Sequence, residues 1–202
     1  PLTCSRIHNM WKMLFYCKED NCMGTNIDIQ PIIDYVSKDW QLGPIHGIEH
    51  WKRVERNGLL LATDEVNTTV VRLFAYLHDH KRIDDGWALD HGQRAAENLD
   101  NIRHTLLSDV TDEEFDMLKR ACMEHTITVR TGIPTIDACF DADRMDLPRV
   151  GYMPDPARMA SELGIAFAKH GAVKEDCSIS LEAVDKAKNE LLSTKIRDNG
   201  IK

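Results

Sequence analysis

From position 27 onward the apolar residues return at three- and four-residue steps, and no stretch keeps the alternation that marks a half-buried strand. Eight segments carry the helical pattern: "IDIQPIIDYVSKDW", "GIEHWKRVERNGLLLAT", "DEVNTTVVRLFAYLHDH", "WALDHGQRAAENLDNIRHTLL", "TDEEFDMLKRACMEHT", "PTIDACFDADRMDL", "MASELGIAFAKH" and "LEAVDKAKNELLSTK". The third is ambiguous at its start, since β-branched "NTTVV" suits a strand. Val66, Val70, Val71, Phe74 and Leu77 continue at helical spacing, however, so a helix with Asp64 and Glu65 in an acidic first turn is the expectation. In the fifth, Thr111 with Glu114 three residues on forms a capping box. The pattern predicts an all-α bundle of seven or eight helices with no internal repeat.

Residues 1–26 break this pattern. They hold three of the six cysteines and show no clear periodicity, which suggests an appendage to a single domain over 27–202, with Met23 as an alternative start. Cys4, His8, Cys17 and Cys22 fit no compact zinc spacing. The remaining cysteines are scattered, as in a protein with reduced thiols, and no run reaches the roughly 20 apolar residues of a membrane span. A cytoplasmic location is expected. A chain of 202 residues can bury a core without a metal or a disulfide as support. Its net charge of -8 argues against an extensive nucleic-acid surface or attachment to anionic membrane, so any phosphate must be gripped locally.

The polar residues inside the apolar pattern carry the chemistry. His46 and His50 stand four apart near the start of the second segment, on one face if the helix has begun by His46. His78 and Asp79 follow "VVRLFAYL" directly, where a core helix delivers them to the interior. A buried imidazole beside a buried carboxylate is costly unless each is hydrogen-bonded or bound to a cation. Asp143 sits between apolar positions in "CFDADRMDL", where pairing with Arg144 or Arg53 is the plain alternative. Taken together, His50, the pair His78 and Asp79, and Asp143 come from three separate helices and form an N2O2 set suited to a divalent ion.

With "HWKRV", "LHD" and "DADRMDL" in this order, the chain resembles the HD-domain superfamily of metal-dependent phosphohydrolases over roughly residues 45–151. The resemblance implies an all-α fold and a divalent metal held by His50, His78, Asp79 and Asp143. His91 in "LDHGQRAA" and His125 in "RACMEH" extend the order to H…HD…H…H…D, similar to members that hold two metals bridged by the Asp of the HD pair. With one metal, His91 and His125 would instead orient the substrate or protonate its leaving group; metal identity (Mn, Co, Ni, Mg, Zn or Fe) stays open.

On this reading Asp79 and His125 are catalytic, and Lys81 and Arg82 bind phosphate unless they only pair with Asp84 and Asp85 in a solvated loop. Arg53 and Arg144 pair with carboxylates that orient the ligand helices. His46 and His80 support the site or face solvent, and His8, His104 and His170 do no chemistry. The expected activity is hydrolysis of a nucleotide or another small phosphorylated metabolite, with a homodimer left open. A di-iron oxygenase on the same scaffold and a non-catalytic nucleotide-binding module are the alternatives.

Overall fold

The computed structural model describes residues 27–38, 40–86 and 88–198; the appendage and its cysteines lie outside them. Among the described residues there are eight α-helices, two short 3-10 turns and no strand beyond one antiparallel bridge, Val173 to Ile179. The helices are α1 (Gln30–Lys38), α2 (Ile48–Leu61), α3 (Thr68–Leu77), α4 (His91–Ile102), α5 (Asp112–Glu124), α6 (Pro134–Arg144), α7 (Glu162–His170) and α8 (Leu181–Asp198). This is the all-α bundle that the periodicity predicts.

Helix α3 is the axis. Its sequence is apolar almost all round, so it can be stable only where other helices surround it; α1, α2, α5 and α6 pack against it and bury Val70, Val71, Leu73, Phe74 and Leu77 completely or nearly so. The same packing decides the strand-like "NTTVV" in favour of a helix. The close approach of α2 rests on Gly58, where a Cβ would lie 2.4 Å from Val71 Cγ1.

The start of α3 departs from the expected acidic first turn. Asp64 and Glu65 lie in the turn before it, and Asn67 is the N-cap, its side-chain oxygen accepting from Val70 N at 3.1 Å. A carboxamide satisfies a free helix N–H directly, and Asn67 also donates to Glu114 Oε1 at 3.0 Å, which ties this cap to the capping box of α5. Helix α4 is shorter than its segment: it begins at His91, and Ala88 to Asp90 belong to the preceding loop.

Candidate metal centre

Each candidate ligand stands at or near a helix end at one end of the bundle. His50 is in the first turn of α2, His78 caps the C-terminus of α3 with Asp79 following, His91 opens α4, His125 caps α5, and Asp143 lies in the last turn of α6. The six converge. His50 Nε2 is 3.2 Å from His78 Nε2, 3.6 Å from Asp79 Oδ2 and 3.5 Å from Asp143 Oδ1, and His78 Nε2 is 3.6 Å from Asp79 Oδ2. On the other side His91 Nε2 is 3.0 Å from Asp79 Oδ1 and 2.9 Å from His125 Nε2. Two ligands each about 2.1 Å from one ion stand about 3.0–3.4 Å apart at octahedral or tetrahedral angles, so these separations fit shared cations. Three overlapping groups of the buried side chains can hold an ion: His50, His78 and Asp79; His78, His125 and Asp143; Asp79, His91 and His125.

The hydrogen bonds behind the rings settle what the converging atoms offer. His78 Nδ1 faces the carbonyls of Phe74 (3.0 Å) and Ala75 (3.2 Å), His125 Nδ1 that of Cys122 (2.7 Å), His91 Nδ1 that of Ala88, and His50 Nδ1 the carboxylate of Asp146 (2.7 Å). Carbonyls and carboxylates only accept, so each Nδ1 is the protonated nitrogen and each neutral ring turns a lone pair inward from Nε2. Four lone pairs and two carboxylates then face one another in a nearly dry pocket. Asp143 Oδ1 is buried with no hydrogen-bond partner, as an atom would be whose counterpart is a metal.

The protonation states agree. Burial drives His78 down to about 3 and lowers His125, keeping both neutral. Asp79 is held well below the usual carboxylate range: burial opposes this, but His78, His50 and His91 outweigh it. Asp143 is lowered too, against burial, chiefly by Arg149 and then by His78 and His50. His50, by contrast, is raised despite its burial, by Asp146 and then Asp79.

The supporting groups differ in part from expectation. Asp146, fully buried and three residues beyond Asp143, orients His50, and Arg53 grips it with Nε at 2.6 Å and Nη2 at 3.0 Å. Sequence reasoning read Arg53 as such a partner but missed Asp146; the signal was the i, i+3 pair of acids in "DADRMD". Arg144 pairs with Asp141 and donates to the carbonyls of Thr128, Val129 and Arg158, fastening the loop after His125 to α6. Asp143 therefore pairs with neither Arg53 nor Arg144; its cation is Arg149, at 3.8 Å, also absent from the sequence reading.

Lys81 and Arg82 part company. Arg82 Nη1 lies 3.1 Å from His91 Nε2 and 3.5 Å from Asp79 Oδ1, against the second half of the site, and Nη2 donates to Gly86 O. Lys81 Nζ sits 5.9 Å from the Tyr35 ring centroid, and among the described residues no hydrogen bond or ion pair joins it to a ligand. Both line a cavity of about 340 Å³ with Tyr35, Trp40 and His80. His80 is buried, donates to Leu77 O and accepts from Asn98, which also donates to Tyr35. His46 precedes α2 instead of sharing its face with His50, and pairs with Asp85 at 2.8 Å. His104 is exposed and His170 pairs with Glu190.

The five buried side chains and the half-buried Asp143 could thus hold a metal ion, and no helix among the described residues is long and apolar enough to cross a membrane. No family model, no curated protein and no solved structure matches the chain.

Proposed function

We propose that the chain is an HD-type metal-dependent phosphohydrolase acting on a nucleotide or another small phosphorylated metabolite, with two divalent ions bridged by Asp79. The observation that carries this reading is the division of one carboxylate: Oδ2 of Asp79 faces His50 and His78, while Oδ1 faces His91 and His125. A single ion at His50 and His78 would leave His91, His125 and Oδ1 of Asp79 to the Arg82 guanidinium.

Bound divalent ions would acidify a water and polarise a phosphoryl oxygen. The protein's own part is orientation and charge. Asp143, the one ligand with a side chain as much as 21 % exposed, marks the side from which substrate arrives. Arg149 beside Asp143 and Arg82 beside Asp79 supply fixed positive charge at either half, where it stabilises negative charge developing on the phosphoryl oxygens. Asp79, ionised and buried, would help to deprotonate the acidified water. If only one ion binds, His91 and His125 would instead orient the substrate; His125, neutral with its proton on Nδ1 toward Cys122 O, is poorly suited to protonate the departing oxygen.

The test is elemental analysis of protein purified without chelators, beside a turnover screen of phosphate esters under Mn, Co, Ni and Mg. Wild type should carry about two ions per chain and the His91→Ala, His125→Ala double variant about one. One ion in both would end the bridged reading. A second reading has its own support, because four imidazoles with two carboxylates also suit iron: predominant iron with oxygen uptake and no ester hydrolysis would make the protein an oxygenase.

A further inference from the structure

The ligands open onto a ring of loops. Arg149 Nε donates to Ile45 O at 3.0 Å, joining the loop after α6 to the one before α2. His46 bonds Asp85 across the next gap, Thr126 Oγ1 donates to Leu89 O at 3.1 Å, and Arg144 carries the circuit from Thr128 and Val129 back to α6. Each of these loops follows or precedes a ligand, so together they form the rim of the site.

That rim is unexpectedly apolar. Ile83 and Leu89, between Asp79 and His91, are 71 % and 60 % exposed. Ile127 and Val129, just after His125, and Tyr152 and Met153, beyond Asp143, are exposed as well. Ile45 and Val150, in the loops before α2 and after α6, are exposed too; apart from Met123 in α5, the other large exposed apolar side chains among the described residues are Leu181, Leu192 and Ile196 of α8. Scattered single apolar residues need no explanation, but a concentration around one opening does.

We infer that the substrate of this site is an amphiphilic phosphate monoester, with its phosphate at the ligands between Arg82 and Arg149 and an alkyl or isoprenoid-like tail lying across the rim. The inference rests on the proposed phosphate site and specifies its substrate class. Among the exposed apolar side chains of the described rim only Tyr152 is aromatic, whereas a nucleobase is gripped by stacking on aromatic rings. The net charge of -8 disfavours an anionic membrane as the thing that covers this surface. The reaction would be R–O–PO₃²⁻ + H₂O → R–OH + HPO₄²⁻: water oxygen bonds phosphorus, the P–O bond to the tail breaks, and the departing alkoxide takes a proton to leave as the alcohol.

The experiment is calorimetric titration of the metal-loaded full chain with methyl-, butyl- and hexylphosphonate under argon, paired with kcat/KM on hexyl phosphate and glycerol phosphate. Affinity should rise about two- to fourfold per added methylene, and hexyl phosphate should be the better substrate. The Ile127→Ser, Tyr152→Ser variant should flatten the series while leaving methylphosphonate affinity unchanged; Leu192→Ser on α8 should alter neither. If methylphosphonate binds but wild type shows no dependence on chain length, the tail site is wrong and the phosphate site stands. If no phosphonate binds the loaded protein, both fall together. A chain-length dependence that survives in the rim variant places the tail elsewhere and overturns the inference. So does a flat series accompanied by rim-dependent sedimentation with phosphatidylcholine vesicles or rim-dependent dimerisation, which would make the rim an interface.

Discussion

The two halves of the metal centre are built differently. His50, His78 and Asp143 are backed by the core: a buried carboxylate clamped by Arg53 holds the His50 ring, and His78 stacks on Phe74 with centroids 4.8 Å apart. His91 and His125 sit at the first residue of α4 and the cap of α5, each tied by one backbone carbonyl, with the Arg82 guanidinium lying against His91. The first half presents its ligands already oriented. The second already contains a cation, so a metal entering it must share the space with Arg82 or move it. If two ions bind, unequal affinity is the expected consequence: the first would be held tightly and the second would exchange.

Asp79 gives one carboxylate oxygen to each half, and its removal should erase the distinction. Asp79→Ala is expected to lose both ions and to drop turnover by about a thousandfold or more, beyond what the loss of one electrostatic group causes. Metal content and rate on the same preparation check it. A variant that keeps two ions or near-normal turnover would show that the halves are independent sites.

The next effect separates the halves. Asp146 touches only His50 among the ligands in hydrogen-bond contact, so Asp146→Asn should weaken the tight ion about 10–100-fold, the usual cost of removing an outer partner of a ligating imidazole. Competition titration with a chelating dye reads this. Equal weakening of both ions would mean that Asp146 sets the charge of the whole centre and not the orientation of one ring.

How much of this was legible beforehand follows the same division. The helices could be read because each buries a stripe, and His78 with Asp79 stood out because polar residues follow an apolar run. His91 and His125 were harder: each closes a loop or a helix, and only their order relative to the HD pair singled them out. Asp146 was missed because its partner His50 is 96 residues away and only the acid pair in "DADRMD" hinted at it; Arg149, six residues from Asp143, lies past the end of α6, where helical spacing gives no guide. The apolar rim was invisible for the same reason, since periodicity identifies buried faces and says nothing about loops. The start of α3 was misread because two acids suggested a first turn, whereas the helix begins where Asn67 can cap it.

Gly92 probes the second half through packing. It follows His91, and a Cβ there would stand 2.5 Å from Cys122 O and 3.1 Å from His125 Cε1. Its bare backbone is what allows the start of α4 to approach the end of α5 closely enough for the two imidazoles to meet. Gly92→Ala should cost about 1–3 kcal/mol of stability as the helices separate, measured by denaturant unfolding, and should empty the exchangeable half while the tight ion remains. Full occupancy of both would show that the two rings tolerate a wider spacing.

The smallest effects come from the adjacent cations, and their contrast is the finest test of the asymmetry. Arg82 lies 3.5 Å from Asp79, so Arg82→Gln removes a positive charge that competes with the second ion. Affinity in that half should rise roughly tenfold, the scale of a charge a few ångströms away at an effective dielectric near 20 after allowance for the flexible side chain, while turnover falls because the phosphoryl charge loses a partner. Lys81 faces Tyr35 instead, so Lys81→Ala should leave metal affinity and turnover within about twofold, as expected of a partly exposed cation with no ion pair. Occupancy and rate moving in opposite directions in the first variant, and neither moving in the second, would tie the weakness of the second half to Arg82 itself. If Arg82→Gln left the second ion unchanged, that weakness would have to come from the shallow anchoring of His91 and His125, and the guanidinium would serve the substrate alone.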